Sequence, residues 1–378
     1  MKRIAITPRD DRQKKVEALG LVYHTPEGKK YWDESAYYEF SSSEVDFIEQ
    51  ATNELQEMCL HAAQHIIDKE RFEELHIPRI VEPLIKQAWE AEPPSLYGRF
   101  DFAFDGINLK LLEYNADTPT ALLEASVIQW FWLQERFSDA DQFNSIHEKL
   151  LAHWQEVKAH LKGPVLYFVS TDDFEDIMTV TYLQDLAEQS KILTQSFLID
   201  EIGWNATRTC FVDRDEQEII SLFKLYPWEW LIHEDFGPEL IEVHDRMQWI
   251  EPIWKMLWSN KGFLPILWEL YPNHPYLLEA YFNEPRSMSE YVKKPLFSRE
   301  GANIEIYTNR GLRLATPGEY GTEGYIFQAI APVPNFDENY PVIGSWVIDG
   351  ASAGMGIRES DKLITDNLSR FVPHLFKH

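Results

Sequence analysis

Two alternating segments on either side of a turn constrain this chain most. In Tyr97-Gly-Arg-Phe-Asp-Phe-Ala-Phe-Asp105, period-two alternation puts Phe100, Phe102 and Phe104 on one strand face and Arg99, Asp101 and Ala103 on the other. Leu109-Lys-Leu-Leu-Glu-Tyr-Asn115 follows across Asp105-Gly-Ile-Asn108, a composition suited to a hairpin turn. Pairing Asp105 with Leu109 across a three-residue loop sets Asp101 opposite Glu113 and Arg99 opposite Asn115, all on one face. Directly opposed carboxylates destabilise a sheet by about 0.2–1 kcal/mol, so a cation belongs between them. Two carboxylates and an amide oxygen are hard ligands suited to Mg²⁺, and Arg99 beside them suits a phosphoryl oxyanion. The same spacing fits a self-neutralising hairpin, with Arg99 and Lys110 paired to the acids.

After the hairpin, Asn115-Ala-Asp-Thr118 leads into a predicted helix from Thr118 to Phe137, capped by Thr118 with Pro119 at its first position. Its free amide donors would lie beside the polar face, where Thr118 would meet a substrate carboxylate; taken alone, the threonine reads first as a plain N-cap. Upstream, Ser41-Ser-Ser-Glu44 is a capping-box signature, and Ile48, Ala51, Leu55, Met58, Cys59, Ala62 and Ile66 follow at helical spacing. Downstream, a strand over 163–170, an acidic loop and a helix ending near Gln189 form a β–loop–α unit, extended by apolar runs over 192–199 and 218–225. The last third places short strands at 291–294, 303–307, 324–328 and 342–348, which predicts an antiparallel sheet. The fold class is therefore α+β, a mixed α/β chain.

Composition bounds the partners. The 378 residues are 44% hydrophobic and 14% aromatic, enough for a large core, and their net charge of −27 argues against a nucleic-acid surface. Cations, small molecules or proteins are the expected partners. Cys59 and Cys210 read as buried thiols of a reducing compartment, since one pair builds no disulfide framework. The amino terminus lacks an apolar signal core, and no run is apolar over a bilayer's length; a cytoplasmic protein with no membrane partner is expected.

Tyr97-Gly-Arg-Phe-Asp-Phe-Ala, Glu113-Tyr-Asn-Ala-Asp117, Asn260-Lys261 before Leu264-Pro-Ile-Leu-Trp268, and Lys294-Pro295 together resemble the synthetase part of the glutathionylspermidine synthetase family, in the same order. The resemblance implies a permuted ATP-grasp fold with an antiparallel-sheet nucleotide-binding portion. It also implies an ATP- and Mg-dependent ligase that joins an acid to an amine through an acyl phosphate, forming ADP and phosphate. A glutathione-like peptide and a polyamine are the implied small-molecule substrates; oligomeric state is left open. Asp101, Glu113 and Asn115 would bind two Mg²⁺ ions, Arg99 would act in phosphoryl transfer, and Thr118 would lie at the acid substrate. Lys261 and Lys294 match the ATP-contacting lysines, and Arg299, Gly301 and the residues up to Asn303 match the loop over the phosphates. Gln328, Ala329, Ile330 and Ala331 match the adenine-flanking segment, and Leu363 and Ile364 another nucleotide contact. Val342 departs from the pattern, where a glutamine-like residue is expected. No amidase domain with its Cys/His pair is recognisable, so product hydrolysis is not expected.

The resemblance also implies a single synthetase unit over 1–378, with a metal-site hairpin and helix at 97–137, a substrate-binding α/β portion at 160–240 and a nucleotide-binding portion at 255–370. Asp172, Asp173, Glu175 and Asp176 follow a strand's carboxyl end and fall where the family holds its amine; a solvated helix start explains them as well. Glu229 sits in an aromatic stretch that resembles a segment near the acid substrate. Gly350-Ala-Ser352-Ala-Gly354 matches a hydrolase elbow in letters, with Asp361, Asp366 and His374 following, but Gly354-Met-Gly356 breaks the helix an elbow needs. It reads instead as a mobile glycine loop with Arg358 near phosphate. The competing functional reading is a nucleotide- or polyamine-binding regulator without turnover.

Overall fold

The Ser41–Glu44 capping box starts a 27-residue helix, Ser42–Asp68: Ser41 accepts from the Glu44 amide, and the Glu44 carboxylate accepts from the Ser41 amide. Its periodic apolar residues, from Val45 through Ile66, are buried in the main core against Phe100, Phe102 and Phe104. The computed structural model describes residues 1–366 and 369–377.

The hairpin joins a five-stranded antiparallel sheet in the order Arg370–Phe371, Ala351–Ser360, Tyr340–Ile348, Tyr97–Phe104, Leu109–Asn115. Every residue of Tyr97–Phe104 is buried, including the polar-face Arg99 and Asp101. A parallel sheet holds Gln248–Ile250, Ser221–Leu225, Leu166–Ser170 and Thr194–Leu198 in that order, with Phe174–Gln189 as the crossover helix after Leu166–Ser170. A second antiparallel sheet orders Ala280–Phe282, Tyr325–Ala329, Tyr291–Pro295, Glu305–Thr308 and Gly311–Ala315. Lys2–Ala5, Ala36–Ser41 and His374–Lys377 form a small sheet that brings the two ends of the chain together. Among the described residues, no helix is long and apolar enough to cross a membrane. Cys59 and Cys210 are buried free thiols.

Four expectations need correction. The hairpin register is Phe104 opposite Leu109, not Asp105 opposite Leu109, and a bulge between Asp101 and Phe102 then restores Asp101 opposite Glu113 and Arg99 opposite Asn115. The longer turn and the extra residue, Leu112, cancel, so the facing pairs stand although the loop length did not. The helix after Thr118 starts later: residues 118–121 are irregular, Ala121 has φ 62°, and a π-turn at Glu124–Ile128 precedes the α-helix Gln129–Arg136. Thr118 is therefore no cap, and its side chain is free for other work. The segment from Gly350 to Gly356 is no mobile loop. It is a hairpin turn followed by the inner strand Ala351–Ser360, so Ser352 has no helix behind it and the hydrolase elbow is absent. Last, Tyr340–Ile348 leaves the sheet of the other C-terminal strands and pairs with Tyr97–Phe104 instead.

A buried ion pair ties the hairpin to the parallel sheet. Lys224 Nζ lies 2.5 Å from Asp117 Oδ1 with both side chains fully buried, and the other Asp117 oxygen accepts from the Trp228 amide. Burial opposes the charge on each, raising the Asp117 pKa and lowering that of Lys224. Removing one partner strands the other: Lys224→Met should cost about 3–5 kcal/mol in urea denaturation, and adding Asp117→Asn should recover much of it. A neutral single variant would contradict this role.

Candidate active site

The polar face of the central sheet lines a cleft of about 380 Å³, bordered by Arg99, Glu113, Asn115, Thr118, Asp173, Glu175, Asp176, Lys261, Arg299, Gly301 and Arg358. Asp101, only 2% exposed, is outside the lining itself but pairs with two residues that belong to it, Arg99 and Arg358. Arg99 Nε donates to Asp101 Oδ1 at 2.8 Å and Arg99 Nη1 to the Thr120 carbonyl at 2.7 Å, while Arg358 from two strands away pairs with the other Asp101 oxygen. Arg99 can lie flat here because residue 344, opposite Asp101 on Tyr340–Ile348, is glycine: a Cβ there would stand 2.8 Å from Arg99 Cδ.

Glu113 pairs with Lys261 Nζ at 2.9 Å. Burial resists ionisation of Glu113, but Lys261, Lys294 and Arg358 outweigh it and hold its carboxyl at about 2. Lys294 is buried, which pulls its ammonium down to about 8 although Glu113 supports the charge. Lys294 donates to Gln328 Oε1 at 2.6 Å and to the Leu112 carbonyl at 3.0 Å, so it clamps the bulged residue. Lys294 and Gln328 thus flank the hairpin's bulge outside the cleft lining itself.

Arg299 links two groups assigned separately by the sequence: it donates to Thr118 Oγ1 at 2.6 Å and to Glu229 Oε1 at 2.5 Å. Gly301, at φ 69°, follows it in a position no side chain fits, since a Cβ would meet the Thr365 carbonyl at 2.4 Å. This close approach holds the 299–303 loop against the segment carrying Leu363 and Ile364. Ile364 forms a small buried cluster with Ile304 and Ile306, and Ile330 and Leu363 pack on it, so the two predicted nucleotide segments meet. Ala329 ends the strand Tyr325–Ala329, and Ala331 follows Ile330 half-buried. Val342 stands opposite Arg358 in the sheet.

The acidic segment divides. Asp173 caps the Phe174–Gln189 helix by accepting from the Glu175 amide. Asp173, Glu175 and Asp176 line the cleft, whereas Asp172 is exposed and outside its lining. Burial raises Glu175 to about 7 and Asp176 to about 6, with neighbouring carboxylates adding to both. Two residues singled out by no motif belong here as well. Tyr31 reaches the cleft from the N-terminal segment, and Glu124 couples to Glu175 from the π-turn. The one available signal was an acid, Glu124, among the apolar Leu122, Leu123, Ala125 and Ile128.

The glutathionylspermidine synthase preATP-grasp family model matches residues 3–377. The chain belongs to that family. It is 43% identical over 393 residues to a Haemophilus influenzae protein provisionally named an acid–amine ligase, with all of both chains covered. It is 26% identical to the bifunctional glutathionylspermidine synthetase/amidase of Escherichia coli, over 89% of this chain and 58% of that one. With trypanothione synthetase of Crithidia fasciculata it shares 28%, over 82% of this chain and 52% of the other. The chain thus spans little more than half the length of these last two relatives. In fold it is similar to a glutathione synthetase-like effector of Globodera pallida, with a TM-score of 0.60 over 97% of this chain and 96% of that one at 10% identity.

The depressed Glu113 pKa has a consequence for stability. A carboxyl ordinarily at 4.5 and held at about 2 in the folded protein stabilises the fold above pH 4.5, and that contribution is lost as pH falls towards 2. Glu113→Gln should therefore lose stability less steeply than the parent protein across this window in urea titrations. Parallel curves would contradict the assignment.

Proposed function

We propose that this protein is an ATP- and Mg-dependent acid–amine ligase working through an acyl phosphate, with ADP and phosphate as products. The observation that carries the reading is the matched set of charges on one buried face: Asp101 and Glu113 held by Arg99, Arg358 and Lys261, with Lys294 and Arg299 close by. Without ligand, each carboxylate borrows a cation. On binding a metal–triphosphate, the carboxylates would take the metal and release the cations to the phosphates, so no buried charge loses its partner at any stage.

The donor set fits that exchange. Asp101, Glu113 and Asn115 offer the hard oxygens that Mg²⁺ favours and can hold up to two ions shared with phosphate. Arg358 Nε and Ser298 Oγ are buried without hydrogen-bond partners and line the cleft, as donors awaiting an anion would. Bound there, Mg²⁺ would offset charge on the phosphate oxygens. Lys261, Lys294 and Arg299 would hold the triphosphate, and Arg99 would offset charge on the phosphoryl group in transit. Thr118 and Glu229, joined through Arg299, would orient the acid's carboxylate. Gln328 and the Ile330–Ile364 cluster support a nucleotide base seated at the second antiparallel sheet, in a permuted ATP-grasp arrangement. Asp173, Glu175 and Asp176 offer negative charge to a cationic amine, a polyamine being the class the Escherichia coli relative's name supports.

Binding without turnover is the competing reading, and one assay separates the two. Incubation with ATP, Mg²⁺, hydroxylamine and glutathione should yield a hydroxamate and ADP, and Glu113→Ala should lower ADP release about 100-fold or more. Nucleotide binding with no ADP from the parent protein would support a regulator.

A further inference from the structure

Amide formation needs more than an activated acid. An alkylamine carries a proton up to a pKa of about 10, and as an ammonium ion it has no lone pair with which to attack. Phosphate and metal binding leave unused a group of residues suited to this problem. Tyr31, Thr120 and Glu175 border the cleft, and Glu124 couples electrically to Tyr31 and to Glu175. Tyr31 and Glu124 are each 2% exposed, and neither the Tyr31 hydroxyl nor Glu124 Oε1 has a partner at close hydrogen-bond distance. The two side chains act on one another, which ties Glu124 to the edge of the cleft through Tyr31. Glu124 also opens a π-turn, an irregularity that recurs at functional sites.

We propose that Glu175 is the general base that takes the proton of the attacking amine, with Glu124 and Tyr31 as the residues that position it. This rests on the ligase reading above. One proton of the ammonium passes to a Glu175 oxygen, and the lone pair so freed forms the bond to the acyl carbon. The carbon–oxygen bond to phosphate breaks, phosphate leaves with that electron pair, and the second nitrogen proton leaves with it. Glu175 then returns its proton to water.

Electrostatics support the geometry. The titratable and charged groups that act on Glu175 are Tyr31, Glu124, Asp176, Arg99 and Arg358, with the Thr120 hydroxyl as a hydrogen-bond partner, and Asp173 borders the same cleft. Burial, with the charge of Glu124 next, brings Glu175 to about 7. A carboxylate near neutrality is matched to general-base work in a way an ordinary one is not.

The test compares two nucleophiles on the same preparations, so that misfolded protein cancels. Hydroxylamine is largely uncharged at neutral pH and needs no base, whereas spermidine does. With ATP, Mg²⁺ and glutathione, Glu175→Gln should lower the spermidine-to-hydroxylamine rate ratio about 100-fold. In the parent protein the spermidine rate should fall on the acid side near pH 7. Glu124→Gln removes a like charge, so that limb should move to lower pH, and Tyr31→Phe should keep it while slowing the spermidine reaction selectively. An unchanged ratio in Glu175→Gln, or an unmoved limb in Glu124→Gln, overturns the proposal alone. Failure of the parent protein with both nucleophiles overturns the ligase reading, and this inference with it.

Discussion

The structure depends on ionic side chains carried by a strand that is buried along its whole length. Arg99 and Asp101 lie in the middle of the central sheet, and charges so placed are tolerable only when each has a partner. Arg358 reaches Asp101 from two strands away, Lys261 comes to Glu113 from the turn between two short helices, and Gly344 clears the space across which Arg99 lies. Sheet order, the glycine and the lysine positions are thus answers to one electrostatic demand. The same demand makes the face receptive: a site already balanced between carboxylates and cations can exchange partners with a metal–phosphate ligand without stranding a charge.

A second buried pair, Asp117–Lys224, fixes where this face sits relative to the parallel sheet. It directly precedes Thr118, whose hydroxyl is held by Arg299 and, through it, by Glu229. The chain of contacts runs from the hairpin to the parallel sheet and on to the 299–303 loop. Groups expected to contact nucleotide and groups expected to contact acid meet at Arg299, which suits a reaction in which those two ligands exchange a phosphoryl group.

Local patterns in the sequence carried what local physics decides. The Ser41 capping box and the alternation of Phe100, Phe102 and Phe104 appear in the structure as read. What was not legible is what tertiary contacts override. The bulge at Leu112 exists because Lys294 and Gln328 claim the Leu112 and Leu111 carbonyls while the Leu111 amide donates to Tyr276. Thr118 and Pro119 carry the letters of a helix start, yet Asn115 binds the Thr118 amide and Arg99 the Thr120 carbonyl, which delays the helix. The glycines from 350 to 356 looked like a loop; in the structure Gly354 and Gly356 let a strand pass within 2.9 Å of the Phe143 carbonyl and 2.6 Å of the Phe371 ring, distances measured to where a Cβ would stand. Tyr31 lay beyond any local pattern, since nothing near it in sequence points to a cleft built from residues 99–369.

The central claim is that this face transfers a phosphoryl group to an acid before the amine arrives. The most direct measurement uses glutathione labelled with ¹⁸O in its carboxylates, with ATP, Mg²⁺ and spermidine, followed by ³¹P NMR of the products. Passage through an acyl phosphate places one ¹⁸O in the inorganic phosphate released with ADP. Unlabelled phosphate, or label appearing in AMP, would contradict the account.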